Sequence, residues 1–139
     1  MAQEKRVTLE EVLKTVGDEV GEKYTWFLIA FEAQGIIDEH VYVGDIRDKI
    51  KDLGYYEISW DFLRKISSRL YAVVLFNLIG SKSKEDFLQE NAKVHNSADL
   101  VCELNFDIDD GEIWEITGKN TDVVERLKKT FSPLPIFLM

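Results

Sequence analysis

Apolar residues recur at helical steps from the start of the chain: Leu9, Val12, Leu13, Val16 and Val20 fall on one stripe of an amphipathic helix. Thr8-Leu-Glu-Glu11 has the form of a capping box, in which hydroxyl and carboxylate each satisfy an orphan backbone N–H, so the helix is expected to begin there. Tyr24 to Ala33 is apolar nearly all round. A buried helix ending near Gly35 and a buried strand both fit such a run, and we take it as helix. Val41-Tyr42-Val43 is a short extended signal. Val43, Ile46, Ile50 and Leu53 then predict a helix from Asp45 to Leu53 with Gly54 as its stop. Ser59 caps a further helix, along which Leu63, Ile66, Leu70, Val73 and Asn77 keep three- and four-residue steps. Past Leu70 both faces are apolar, and Tyr71 to Ile79 suits a strand equally well. Gly80 to Lys84 reads as a loop, and Ser83 with Asp86 starts a helix through about Val94.

The pattern changes period near residue 100. Leu100, Cys102, Leu104, Phe106 and Ile108 alternate with Glu103, Asn105, Asp107 and Asp109, the signature of a half-buried strand. Its return strand is Glu112 to Thr117. A three-residue loop of Asp109, Asp110 and Gly111 sets Phe106 against Trp114 and Leu104 against Ile116, keeping the apolar residues on one face. Thr121 or Asp122 caps a last helix to about Phe131, with Arg126, Lys128 and Lys129 suited to its C-terminal dipole. Ser132-Pro133 ends it, and an apolar tail follows.

These elements amount to an α+β domain with a helical N-terminal half, a C-terminal antiparallel hairpin or small sheet, and a final helix. At 139 residues the chain has the length of one domain. It divides into an N-terminal helical segment (1–35), a segment with two helices (41–80), the hairpin (98–118), the final helix (121–131) and the tail (132–139). The composition, 45% hydrophobic and 31% charged with two prolines, excludes a disordered or collagen-like chain. The longest apolar run, Leu70 to Ile79, is interrupted by Asn77 and falls well short of the ~20 residues of a membrane span. Cys102 is the only cysteine, and the charged N-terminus lacks the apolar core of a signal peptide, so we expect a cytoplasmic protein with no membrane attachment.

Little in the chain suggests catalysis. It contains no G-x-S-x-G elbow, no G-x-G-x-x-G fingerprint and no phosphate loop ending in Gly-Lys-Ser/Thr. Gly80-Ser-Lys-Ser-Lys84 lacks the glycine spacing of a phosphate cradle and reads as a capped loop. His40 and His95 lie far apart and no C-x-x-C is present, so neither a metal site nor a cofactor is expected. Asp107, Asp109, Asp110 and Glu112 crowd the hairpin tip, but the run fails the calcium-loop pattern at Gly111 and Glu112 and reads as a solvated turn. Cys102 shares its predicted face with Leu104 and Phe106 as inert packing. We expect a binding protein, not an enzyme.

Charge is unevenly spread. The net charge is −9, which argues against a phosphate-gripping surface over the whole molecule. Asp99 to Glu115 carries seven acids and no Lys or Arg, whereas Phe62 to Lys84 carries Arg64, Lys65, Arg69, Lys82 and Lys84 and no acid. Tyr55, Tyr56, Trp60, Phe62 and Tyr71 flank or interleave that basic window, the mixture with which single-stranded nucleic acid is stacked and neutralised.

Val43 to Leu70, with a helix at Asp45–Leu53, Gly54-Tyr-Tyr-Glu-Ile as a turn and a second helix at Ser59–Leu70, resembles a helix-turn-helix of the winged-helix type. The resemblance implies that the second helix enters the major groove, with Trp60, Arg64, Lys65, Ser68 and Arg69 contacting phosphates and base edges. The leading expectation is therefore binding of DNA or RNA through Tyr55, Tyr56, Trp60, Arg64, Lys65, Ser68, Arg69, Lys82 and Lys84. The alternative is an acidic interaction module that holds a protein partner, or a second copy of itself, through the acidic hairpin or the tail residues Phe131, Leu134, Ile136, Phe137 and Leu138, with Met139 beyond them.

Overall fold

The computed structural model describes residues 7–35, 37, 42–95, 99–109, 113–131 and 136–137. Its elements are α1 (Leu9–Val16), α2 (Asp18–Gly21), β1 (Thr25–Gly35), α3 (Val43–Leu53), β2 (Tyr56–Ile58), α4 (Trp60–Ser67), β3 (Leu70–Ser81), α5 (Lys84–Lys93), β4 (Leu104–Asp109), β5 (Ile113–Thr117), α6 (Thr121–Phe131) and β6 (Ile136–Phe137). The strands form one sheet in the order β2-β1-β3-β4-β5-β6. Every pairing from β2 to β5 is antiparallel, and β6 alone joins in parallel, beside β5.

This corrects the expected fold class. The N-terminal half is not helical, because β1 occupies the run taken as a helix and stands near the middle of the sheet. The cause is visible in its packing. Trp26 and Leu28 enter the principal core, while Phe27 between them enters a second core on the other side. A strand covered on both faces shows no polar alternation, so it reads as apolar all round. β3 is also a strand throughout, and α4 stops at Ser67. Between α3 and α4 lies β2, an edge strand with Trp26 opposite Ile58 and Leu28 opposite Tyr56, in place of a turn.

The local signals behave more simply. Thr8 Oγ1 accepts from the Glu11 amide at 3.1 Å and starts α1; Ser59 and Ser83 do the same for Phe62 and Asp86, each at 3.1 Å. Gly54 closes α3 at φ 86° with its N–H on the Ile50 carbonyl, a left-handed cap that favours glycine. Three local expectations need correction. Val43 is helical, with Asp45 Oδ2 accepting from the Tyr42 amide before it. Leu53, the last residue of α3 before the Gly54 cap, is 66% exposed and not inward. α6 is capped by Asn120, whose Oδ1 accepts from the Val123 amide at 3.2 Å.

The principal core lies between one sheet face and helices α1, α3, α4 and α6. Leu13, Leu63, Phe76, Phe106 and Leu127 are sealed within it, each contributing about 1.5–3 kcal/mol by burial. The second core is smaller. Phe87 of α5 stacks on Phe27 at 3.9 Å and 7°, with Ile79, Leu100 and Cys102 around them. Cys102 therefore lies across the sheet from Leu104 and Phe106, against expectation, because β4 begins only at Leu104 and the alternation does not extend back to it.

In the β4–β5 hairpin Phe106 faces Ile116 and Ile108 faces Trp114, while Asp109 faces Ile113. The expected partners, Trp114 for Phe106 and Ile116 for Leu104, are displaced by two residues. A slip of two keeps every side chain on its face, so the hydrophobic pattern fixes the face but not the pairing. The expected loop residues Asp110 and Gly111 lie outside the described residues.

Candidate functional site

The basic–aromatic residues are dispersed by the fold. Trp60 is 4% exposed in the principal core, 5.2 Å from the Trp26 ring, and its indole N–H donates to Asp18 Oδ1 at 2.8 Å. Tyr55 packs edge-on against Phe27 and Phe87 in the second core, so Tyr55 and Trp60 serve opposite sides of the sheet. Tyr56 sits on β2 with Lys49 Nζ 5.7 Å from its ring centroid. No common stacking platform brings these rings together.

The cations are already engaged. Arg64 Nη1 reaches Asp18 Oδ1 at 2.6 Å, and Arg69 Nη1 donates to the Ile37 carbonyl at 2.9 Å. Lys82 lies 3.7 Å from Glu103 and Lys84 3.4 Å from Glu57. Lys65 has an interaction partner as well, and the Ser68 hydroxyl donates to the Lys65 carbonyl at 2.8 Å. Along the tail, Phe131 is half-buried against the principal core, and Ile136 and Phe137 form β6 beside Glu115 and Ile116. Leu134 and Leu138 lie outside the described residues.

An open cleft of about 370 Å³ at the β1–β2 end is rimmed by Glu22, Glu57 and Asp61 over Tyr24, Trp26 and Trp60. Both indole N–H groups below it are committed, that of Trp26 to the Gly21 carbonyl at 2.7 Å. Among the described residues, no three His, Cys, Asp or Glu side chains are grouped to hold a metal ion. No described helix is long and apolar enough to cross a membrane.

The most unusual electrostatics lie on the sheet face that carries the second core. Alternation sends Phe106, Ile108, Trp114 and Ile116 into the principal core, so Asp107, Asp109 and Glu115 point to the opposite face. Asp107 and Glu115 are direct cross-strand partners, and Asn77 of β3 stands opposite Asp107 on its other side. Asn77, Asp107 and Glu115 thus form one lateral row across three strands. Like charges directly opposite one another destabilise a sheet by about 0.2–1 kcal/mol. Asp107 shows the effect, its carboxyl pushed above the ordinary value by burial first, then by Glu115 and Asp109.

Asn77 adds a second anomaly to the row. It is 3% exposed, and its Nδ2 donates to Asn105 Oδ1 at 2.7 Å and to the Phe106 carbonyl at 3.1 Å. Its Oδ1 is sealed from solvent without a hydrogen-bond partner among the described residues. No protein-family model matches the chain, and neither a curated protein nor a solved structure matches it.

The sequence pattern marked this row only in part. Asn77 visibly interrupts an apolar run, but its spacing from Leu70 and Val73 fits a helical stripe as well as a strand, so the sequence alone does not place it opposite Asp107. The crowd of acids was also visible. Its placement was not: Asp107 lies in mid-strand, where Glu115 is brought against it by pairing and not by closeness along the chain.

Proposed function

We propose that this protein is an interaction module whose acidic hairpin face receives a basic segment of a protein partner. The observation that carries this reading is the cross-strand pair of Asp107 and Glu115, flanked by Asp109 and set beside the Asn77 side-chain oxygen, which has no donor among the described residues. A strand pair that breaks two local rules at one place is what a site shaped for a ligand costs its fold. A lysine or arginine side chain supplies the missing positive charge. The engagement of Arg64, Arg69, Lys82 and Lys84 within the chain favours this reading over binding of DNA or RNA at the basic window.

The test uses fluorescent octalysine and matched single- and double-stranded oligonucleotides at two salt concentrations. The peptide should bind, weakening as salt rises. Asp107→Asn with Glu115→Gln should lower its affinity at least fivefold more than Asp48→Asn with Asp52→Asn, which removes the same charge from the exposed side of α3. Equal losses in the two double variants, or binding of oligonucleotide without peptide, would overturn the reading.

A further inference from the structure

We infer that Asp107 takes up a proton as the solution is acidified and that Asn77 Oδ1 accepts a hydrogen bond from the resulting carboxyl, so that the hairpin face releases a basic partner as the pH falls. This rests on the preceding reading for its consequence but not for its chemistry. The step is a simple protonation: one carboxylate takes a proton from water and becomes a carboxylic acid, and no other bond changes.

The geometry supplies both halves of such a site. Two carboxylates directly opposite each other on adjacent strands repel, and one proton converts that repulsion into attraction. A protonated carboxyl gains an O–H donor. The acceptor suited to it is in place, because Asn77 is the residue opposite Asp107 and its Oδ1 has no donor among the described residues. Nδ2 is committed to Asn105 and the Phe106 carbonyl, so the oxygen is the part of this buried amide left to accept a bond.

The surrounding groups reinforce the pair. On β4 itself the neighbours on this face are Asn105 and Asp109; β3 contributes Asn77 and Leu75, and β5 contributes Glu115 and Thr117. From β1, Ala30 stands opposite Asn77, and Glu32 opposite Leu75 has Arg47 at 3.9 Å. On α5, which covers part of the face, Lys84 is held by Glu57 and Lys93 by Glu90. The charges that act on Asp107 among the described residues are the carboxylates of Glu115 and Asp109, and both act in the direction that retains a proton.

Carboxyl-carbon NMR of the full chain, titrated from neutral to acidic pH, reads the proton directly. Asp107 should titrate above the ordinary aspartate value of about 3.9. The Asn77 side-chain amide resonances should move with the same midpoint, a change that repulsion alone would not produce. Octalysine affinity should fall about three- to tenfold across the pH range in which NMR shows Asp107 taking up its proton in the native chain. Asp107→Asn, which retains both histidines, should lack most of that fall. Titration of Asp107 at or below the ordinary value, or an Asn77 amide that stays still while Asp107 titrates, would overturn the protonated Asp107–Asn77 contact. If octalysine fails to bind at any pH, the binding reading falls and with it the pH-gated release, while the NMR titration still decides the contact.

Discussion

Trp60 and Asp18 are joined directly: the indole N–H donates to Asp18 Oδ1 at 2.8 Å, and Arg64 reaches the same oxygen. The contact ties α2 to α4. Asp18→Ala removes the acceptor from both donors and should cost about 1–2 kcal/mol in urea unfolding, the lower part of the range for bonds to charged groups, because Asp18 is 63% exposed. Asp18→Asn keeps an oxygen for Trp60 and should cost about half as much.

Gly21 marks how tightly that tryptophan is seated. A Cβ there would lie 2.1 Å from Trp60 Cε2, and an indole held by Trp26 and Asp18 has little room to retreat. Gly21→Ala should destabilise by about 1–3 kcal/mol and shift tryptophan emission. Gly44, with nothing within 4 Å of such a Cβ, is the control, and Gly44→Ala in α3 should be neutral or stabilising by up to about 1 kcal/mol.

Stability should depend on pH through Asp107. Its pKa is raised in the folded state, so above the ordinary aspartate value the folded chain binds more protons than the unfolded one, and stability falls as pH rises through that window. Asp107→Asn should lack this fall. At pH 7 it should be more stable than the native chain by about 0.5–1 kcal/mol, the scale of a relieved cross-strand repulsion. Urea midpoints of both proteins across the acid range check the sign, and a destabilised variant at pH 7 would count against the account.

Cys102 should be inert while the chain is folded. Burial, and then Glu103, push its thiol up to about 12 despite Lys119 and the backbone of Leu104, so almost none is thiolate at pH 8. A disulfide reagent should label it at the rate of unfolding in native buffer and at once in denaturant. Immediate stoichiometric labelling of the folded chain would contradict this.

The starts of α1, α4 and α5 were legible because each is a local event. Thr8, Ser59 and Ser83 find their amide partners three residues away, and no distant part of the chain decides whether they do. The shared face of Leu104, Phe106, Ile108, Trp114 and Ile116 was legible for the same reason, since alternation is a property of the strand itself. β1 was not legible. Its residues Trp26, Phe27 and Leu28 look alike in sequence, and only the arrival of α4 on one side and α5 on the other gives their run a reason to be a strand.

The site divides along the same line. The sequence by itself determined that acids crowd residues 99–115 and that five cations gather at 62–84, because charge is carried residue by residue. Tertiary structure decided which charges meet a counter-charge and which meet their like. It brought Asp18, Glu57 and Glu103 to Arg64, Lys84 and Lys82, and it set Glu115 against Asp107 beside Asn77. Electrostatic energy depends on separation in space, and strand pairing sets that separation without regard to distance along the chain.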